Sequence, residues 1–521
     1  MVEWRNFGTF FDNRANKFGS KEFMKFAGCD QAISYEEVQL KSNQIANLLI
    51  NFGLKKGEVV SVLMPNQIEW PYLFIGIIKA GGIANFINYK FQEELEYVLN
   101  NSKSKILFLS SCFIKKLNLV ADKLKHLQKV IVFENTNMSF SSDSIELAKA
   151  KFEKFNLYDL LNKSSSDYIN NDVDRSDPAI LVYTSGSTGL MKGVILTNGN
   201  ILAQIELLSD TIPFGGDDIY LCQQPLFYLD YAFYFWLVME KGGSAVIMEK
   251  FTCSNFWKII EKYRPTFLNT VPTMLNIIMK NEEDISGIKV DSLQYISCCG
   301  EVLHPETLHK WESRFPGKIY DTYTVTEISC SGTVTPYNNR KIGSVGIPHA
   351  SNQVCIMDDD LNLLGPHQIG EICTKGPCVM QGYWDNLELT NETIIDGWYH
   401  SKDLGYYDED GYFFIVGRKN FIINKGGEKV SSVEIENVIK KIEGVGNCIV
   451  VGVPDEIVGM EIAAMIETKA DLKYCDIVNY CQGKIAQFKI PKYITFTSEF
   501  PRLNTGKVDR QTIIKQFIVD N

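Results

Sequence analysis

Tyr183-Thr184-Ser185-Gly186-Ser187-Thr188-Gly189-Leu190-Met191-Lys192-Gly193 packs four serine and threonine hydroxyls, three glycines and one lysine into eleven residues. Such a stretch suits polyphosphate. Glycine lets backbone come close and take positive φ, so successive N–H groups can converge on phosphate oxygens. Serine and threonine add donors, and Lys192 supplies compact positive charge.

Working outward, Asp177-Pro178 and the apolar run Ala179–Val182 precede the loop, and a second apolar run, Val194–Leu196, follows it. Both runs read as strands. A Walker-type loop needs G-x-x-x-x-G-K-[ST] leading into a helix. That spacing is absent and the loop continues into β-like sequence, which sets P-loop NTPases aside.

The first third of the chain alternates helix and strand patterns, the signature of an α/β region. Ser34 and Glu37 form a capping box; Leu40, Ile45, Leu48, Leu49 and Phe52 then give a helical apolar face ending at Gly53. Strand-like runs follow at Val59–Met64, Ile106–Leu109 and Val130–Phe133, with a helical stretch before Gly81-Gly82. Asn135–Ser144 and Lys163–Asp177, rich in Ser, Asn and Asp, read as connections. The texture changes near Gly417, beyond which about 100 residues suffice for a small α+β domain. We therefore expect a large, multi-subdomain N-terminal α/β region, 1–417, and a small mobile C-terminal domain, 418–521.

Across 521 residues the formal net charge is −11, with 45% apolar and 22% charged residues. An acidic chain argues against a nucleic-acid partner, and any anionic substrate must be held by local donors. The most apolar segments, Pro71–Asn88 and Pro225–Met239, are broken by Lys79 and Asp230, so they read as core and not as membrane spans. Thirteen scattered cysteines without C-x-x-C pairing, and an N-terminus without a secretory apolar stretch, point to reduced thiols in a cytoplasmic protein.

Further segments carry chemistry. Asp321-Thr322-Tyr323-Thr324-Val325-Thr326-Glu327 sets one aromatic ring and two carboxylates among three threonines. Trp398–Leu404 sets Asp403 after Trp398, Tyr399 and His400. Pro501–Arg510 holds Lys507 after Gly506. Together with the opening loop, these segments resemble the signatures of the adenylate-forming superfamily, which includes acyl-CoA synthetases, peptide-synthetase adenylation domains and firefly luciferases. The likeness runs from Ser34-Tyr35 to Arg510. It implies the adenylate-forming fold and activation of a carboxylic acid as its acyl-adenylate, with ATP and Mg²⁺ as cofactors.

The resemblance also implies roles. Thr184, Ser185, Gly186, Ser187, Thr188, Gly189 and Lys192 would hold the triphosphate. Tyr323 would stack on adenine, with Thr322, Gly300, Glu301 and Val302 beside the nucleotide. Thr326 would meet the phosphate and Glu327 would help hold Mg²⁺. Asp403 and Arg418 would hold the ribose, and Asn420 would be the hinge. Lys507 would be catalytic with Thr326 and Glu327, neutralising two groups that repel, a carboxylate and the α-phosphate. Lys425, Gly426 and Gly427 resemble the path of the coenzyme A arm, where glycine lets a narrow thiol pass. Six positions depart from the family pattern: Met191 stands for Pro, Thr324 for Gly, Ser401-Lys402 for Thr-Gly, Asn420 for Asp or Lys, and Tyr228 for His.

The expected reaction is therefore ATP-dependent acid–thiol ligation with coenzyme A as acceptor. Two alternatives stay open: loading of a phosphopantetheinyl carrier protein, and a non-catalytic binding protein that keeps the fold. The acid itself is open among betaine, fatty, aryl and amino acids. Tyr228, Asp230, Tyr231 and Cys299 are the candidate acyl pocket. Asp230 precedes a run of Tyr231, Phe233, Tyr234, Phe235 and Trp236, which reads either as a buried helix or as an acid with π faces for an ammonium group. That second arrangement resembles ligases for carnitine-like betaines. Oligomeric state is not indicated.

Overall fold

The computed structural model describes residues 4–27, 31–92, 94–134, 152–167, 172–185, 191–281, 285, 287–301, 303–425, 428–455, 457–503 and 508–520. By internal contacts the chain divides into two compact units: Met1–Val354 with Thr374–Tyr399, and Cys355–Cys373 with His400–Asn521. Gly417-Arg418 lies within the second unit, and the boundary read there stays a proposal about where the chain pivots.

The first unit carries two large sheets. One has eight strands in the order Gly382–Tyr383, Met191–Thr197, Pro178–Ser185, Ile83–Phe86, Val59–Leu63, Ile106–Ser110, Lys129–Phe133 and Glu153–Asn156. Its pairings are parallel except at the end built by the 178–185/191–197 hairpin and Gly382–Tyr383. All five residues of Val59–Leu63 and of Ile106–Ser110 are buried, which is why these strands read as continuous apolar runs and not as alternating ones. The second sheet has nine strands, with Glu22–Ala27, Ser244–Met248, Ile219–Cys222, Phe267–Thr270, Tyr295–Cys299 and Lys318–Val325 parallel in its interior.

Local signals account for the helices. Ser34 caps helix Tyr35–Asn51 and exchanges both capping-box bonds with Glu37. Helix Trp70–Lys79 is buried along its whole length. The lysine that interrupts this apolar segment is neutralised inside: Lys79 Nζ lies 2.5 Å from Asp12 Oδ1 and 2.7 Å from Asn43 Oδ1. Helix Leu229–Lys241 ends at Gly242 in the left-handed region and packs Trp236 against Phe74, ring centres 4.8 Å apart. Among the described residues no helix is long and apolar enough to cross a membrane.

In the second unit, strands Ile422–Lys425, Glu428–Ser431, Val445–Asp455, Gly459–Thr468 and Tyr493–Thr497 form a sheet. Helices Ser432–Ile439 and Tyr474–Cys481 bury Ile435, Ile439, Ile477 and Cys481 in the core next to it. A further five-stranded sheet contains Gly370–Lys375, Trp398–Tyr407 and Phe413–Arg418.

Candidate active site

The glycine- and hydroxyl-rich stretch lies on a β-hairpin. Strands Pro178–Ser185 and Met191–Thr197 pair antiparallel, setting Thr184 opposite Lys192 and Ser185 opposite Met191. Gly186, Ser187, Thr188, Gly189 and Leu190, between the arms, lie outside the described residues. Gly193 serves packing: a Cβ there would meet Leu181 Cδ1 at 2.9 Å and Trp384 Cβ at 3.1 Å. The Trp384 N–H donates to the Gly193 carbonyl at 2.7 Å.

A third strand joins this hairpin to Glu327. Tyr383 pairs with Val194, and the Lys192 ammonium stands 5.4 Å from the centre of its ring. The Tyr383 hydroxyl donates to Glu327 Oε1 at 2.9 Å, and Met380 N donates to the Glu327 carbonyl at 2.8 Å. One phenol ring therefore connects the loop's cation to the candidate Mg²⁺ carboxylate. No spacing in the sequence announced Tyr383; only the pairing of Gly382–Tyr383 with Met191–Thr197 brings it there.

Gly300 follows the carboxyl end of strand Tyr295–Cys299, and Tyr323 lies in strand Lys318–Val325 just past its parallel pairing with that strand, in which Cys299 is opposite Thr322. Open α/β sheets bind ligands at such ends. Gly300 has φ +82°, a left-handed conformation natural to glycine. Glu301 accepts from Thr273 Oγ1 at 2.8 Å, and Val302 lies outside the described residues. Burial pushes the Asp321 carboxyl well above the usual range, against the N–H groups of Thr322 and Leu303 that it accepts. It thereby ties the Gly300–Leu303 segment to the strand. Thr322 Oγ1 is buried without a hydrogen-bond partner, Tyr323 is 5% exposed, and Thr326 and Glu327 are half-buried on a short 3-10 turn.

At the expected acyl end, Asp230 sits half-buried in the first turn of helix Leu229–Lys241, and the Cys299 thiol donates to its Oδ2 at 3.5 Å. Burial, then the Asp230 charge, push the Cys299 thiol well above the ordinary value, which favours the protonated thiol. Tyr231 is buried, with its hydroxyl unpartnered. Tyr228 is capped by Lys90, whose Nζ lies 3.4 Å from the phenol oxygen. Phe233, Tyr234, Phe235 and Trp236 are buried in the core, as the buried-helix reading of the run expects.

In the second unit, Asp403 and Arg418 face each other across antiparallel strands, with Arg418 Nε 3.4 Å from Asp403 Oδ1. Asn420 lies on the short turn Lys419–Phe421 that follows. Lys425 is held by Glu461 at 2.5 Å and pairs with Glu428; Gly426 and Gly427 lie between them in sequence, outside the described residues. Lys507 also lies outside them, but its flanks are fixed. Arg502 bridges Val508, and Arg510 donates to the Val450 carbonyl at 2.7 Å and to Glu436 at 2.6 Å.

Comparison with known proteins matches residues 11–384 to the AMP-binding enzyme family and residues 434–507 to the AMP-binding enzyme C-terminal domain. The chain belongs to the AMP-binding enzyme family. Among curated relatives of this family member, the oxalate–CoA ligase of Arabidopsis thaliana is 28% identical, over 97% of this chain and 98% of its own. A long-chain-fatty-acid–CoA ligase of Salmonella typhimurium is 29% identical, over 96% and 93%. ATP-bound MatB from Rhodopseudomonas palustris superposes with a TM-score of 0.87 at 25% identity, covering 98% of this chain and 99% of that one. The anthranilate CoA ligase AuaEII has the same fold, with a TM-score of 0.87 at 23% identity over 100% and 99% of the two chains. The protein is thus an enzyme of the AMP-forming CoA ligase family.

Proposed function

We propose that this AMP-forming ligase takes a small carboxylic acid through an acyl-adenylate to its coenzyme A thioester, in the cytoplasm. The acid's carboxylate oxygen bonds to the α-phosphorus of ATP and pyrophosphate leaves. The thiol of coenzyme A then bonds to the acyl carbon, gives up its proton, and AMP leaves. The observation that carries this reading is the Lys192–Tyr383–Glu327 connection, which sets a cation and a hard carboxylate beside a hydroxyl-rich loop. Lys192 and Thr184 hold phosphate oxygens, Tyr323 and Glu301 attend the base, and Asp403 and Arg418 hold the ribose. Lys507 stabilises charge that develops at the α-phosphate. Glu327 fits Mg²⁺ by chemistry: a half-buried carboxylate, oriented by a phenol, is a hard oxygen donor. When bound, the ion offsets phosphate charge.

For the acid, Asp230 favours a substrate that carries an ammonium-type group. Its half-buried carboxylate next to Cys299 disfavours a plain alkyl chain and attracts a cation. The test is a panel of betaine, fatty, aryl and amino acids with ATP, Mg²⁺ and coenzyme A, read by pyrophosphate release and thioester mass. Cationic acids should lead for the wild type, and Asp230→Asn should shift preference to uncharged acids. A wild type that prefers uncharged acids and ignores Asp230→Asn would remove this reading of the acid. Pyrophosphate release without a coenzyme A adduct would move the acceptor to a carrier protein.

A further inference from the structure

Glu371 is buried on strand Gly370–Lys375, and both its oxygens are engaged within the second unit. Oε1 accepts from the backbone N–H of Lys402 at 2.6 Å. Oε2 lies 3.0 Å from Lys419 Nζ and 3.3 Å from His400 Nδ1. Burial pushes the carboxyl up, but Lys419, the Lys402 N–H and His400 together outweigh it and hold Glu371 below the usual carboxylate range. Cys373 Sγ stands 3.4 Å from His400 Nδ1, so Glu371, Cys373 and His400 are grouped like metal ligands. The Lys419 ammonium already supplies the positive charge there, and a divalent ion at Glu371 would have to displace it.

What the cluster does follows from Lys402. This residue has φ +64°, the left-handed region that strains an L side chain and costs glycine nothing. It stands where the pattern of the family has glycine. The strand pairing shifts register just beyond it, between Leu404 and Gly405, and Asp403 N donates to Ser401 Oγ at 3.0 Å. Arg418, opposite Asp403, immediately precedes Lys419. We infer that Glu371 is a positioning residue: it holds Lys402 in its strained conformation and anchors Lys419, and so presents Asp403 and Arg418 to the ribose of ATP. This rests on the reading of Asp403 as the ribose acceptor.

A glutamine replaces Glu371 poorly, because its amide carries no charge and its one oxygen must serve both the Lys402 N–H and the Lys419 ammonium, which would keep Asp359, 2.9 Å away, as its charged partner. Pyrophosphate release at varied ATP tests this. Glu371→Gln should raise KM for ATP about tenfold, near what the left-handed conformation costs an L residue, while KM for the acid is unmoved. In a Lys402→Gly background, where that conformation is free, the same substitution should cost well under half as many decades. An equal factor in both backgrounds would overturn the inference, as would a rise shared by both substrates. Should Glu371→Gln fail to fold, Glu371→Asp enters the same cycle under the same criterion. Asp403→Ala, assayed with ATP and 2′-deoxy-ATP, tests the underlying reading separately. Discrimination between the two nucleotides should collapse; if it persists, the ribose assignment fails whatever the cycle shows.

Discussion

At the scale of the residue, Glu327 and Tyr383 divide their labour in a way that mutation can separate. In the function proposed above, Glu327 is the group that faces the metal and phosphates, whereas Tyr383 only orients it through one hydrogen bond of 2.9 Å. Glu327→Gln keeps the shape and the phenol contact but removes the charge. Loss of such an electrostatic contact should lower kcat of pyrophosphate release about 100-fold and raise the Mg²⁺ needed for half-maximal rate. Tyr383→Phe should cost no more than about tenfold, the worth of one hydrogen bond to a charged group. Stopped-flow or coupled assays at several Mg²⁺ concentrations would check both. A Tyr383→Phe defect as deep as that of Glu327→Gln would place the phenol against the reacting atoms.

At the scale of the element, the turn between strands Val445–Asp455 and Gly459–Thr468 gives a pH-dependent contribution. Asp455 accepts the N–H groups of Ile457 and Val458 on Oδ1, and Lys492 donates to Oδ2 at 3.1 Å. The two N–H groups first, then Lys492, bring its carboxyl down to about 2 from an ordinary 3.8. A depressed acid binds fewer protons folded than unfolded, so the stability it contributes is complete above 3.8 and is lost as pH falls through about 2. Hydrogen exchange over Cys448–Val453 should show wild type better protected than Asp455→Asn at pH 5, with the gap closing as pH falls below 3.8. A pH-independent gap would mean that the turn is held without the charge. Elements such as these were legible in the sequence because period and cap residues are local: the capping box at Ser34 and Glu37 is formed as read, and the loop Tyr183–Gly193 does run from strand to strand. The aromatic run after Asp230 was ambiguous, since a short apolar helix looks alike whether it lines a pocket or fills a core. Tyr383 and Glu371 were not legible at all, because each acts through partners far away in sequence. The departure Lys402 was visible, but its φ of +64° and the carboxylate that compensates it were not.

At the scale of the molecule, a chain of net charge −11 handles ATP, an acid anion and coenzyme A, so every anion must be met by local groups. In the function proposed above, Lys192 and Thr184 meet phosphate and belong to the first unit, and Asp403, Arg418 and Lys507 belong to the second. The two half-reactions make different demands on these groups. Adenylation brings a carboxylate against an α-phosphate and builds negative charge there, and offsetting that charge is the role proposed above for Lys507. In thioester formation the anhydride is already made, and AMP departs as an anion while a neutral thiol gives up its proton. Lys507→Ala should therefore slow pyrophosphate release about 100- to 1000-fold, the range for losing one donor aimed at developing charge. Thioester formation from preformed acyl-adenylate and coenzyme A should be little changed. Rapid-quench measurement of each half-reaction with the same enzyme preparation reads the two rates separately. Should both fall by the same factor, Lys507 serves a step common to both, and its assignment to the first half-reaction is wrong.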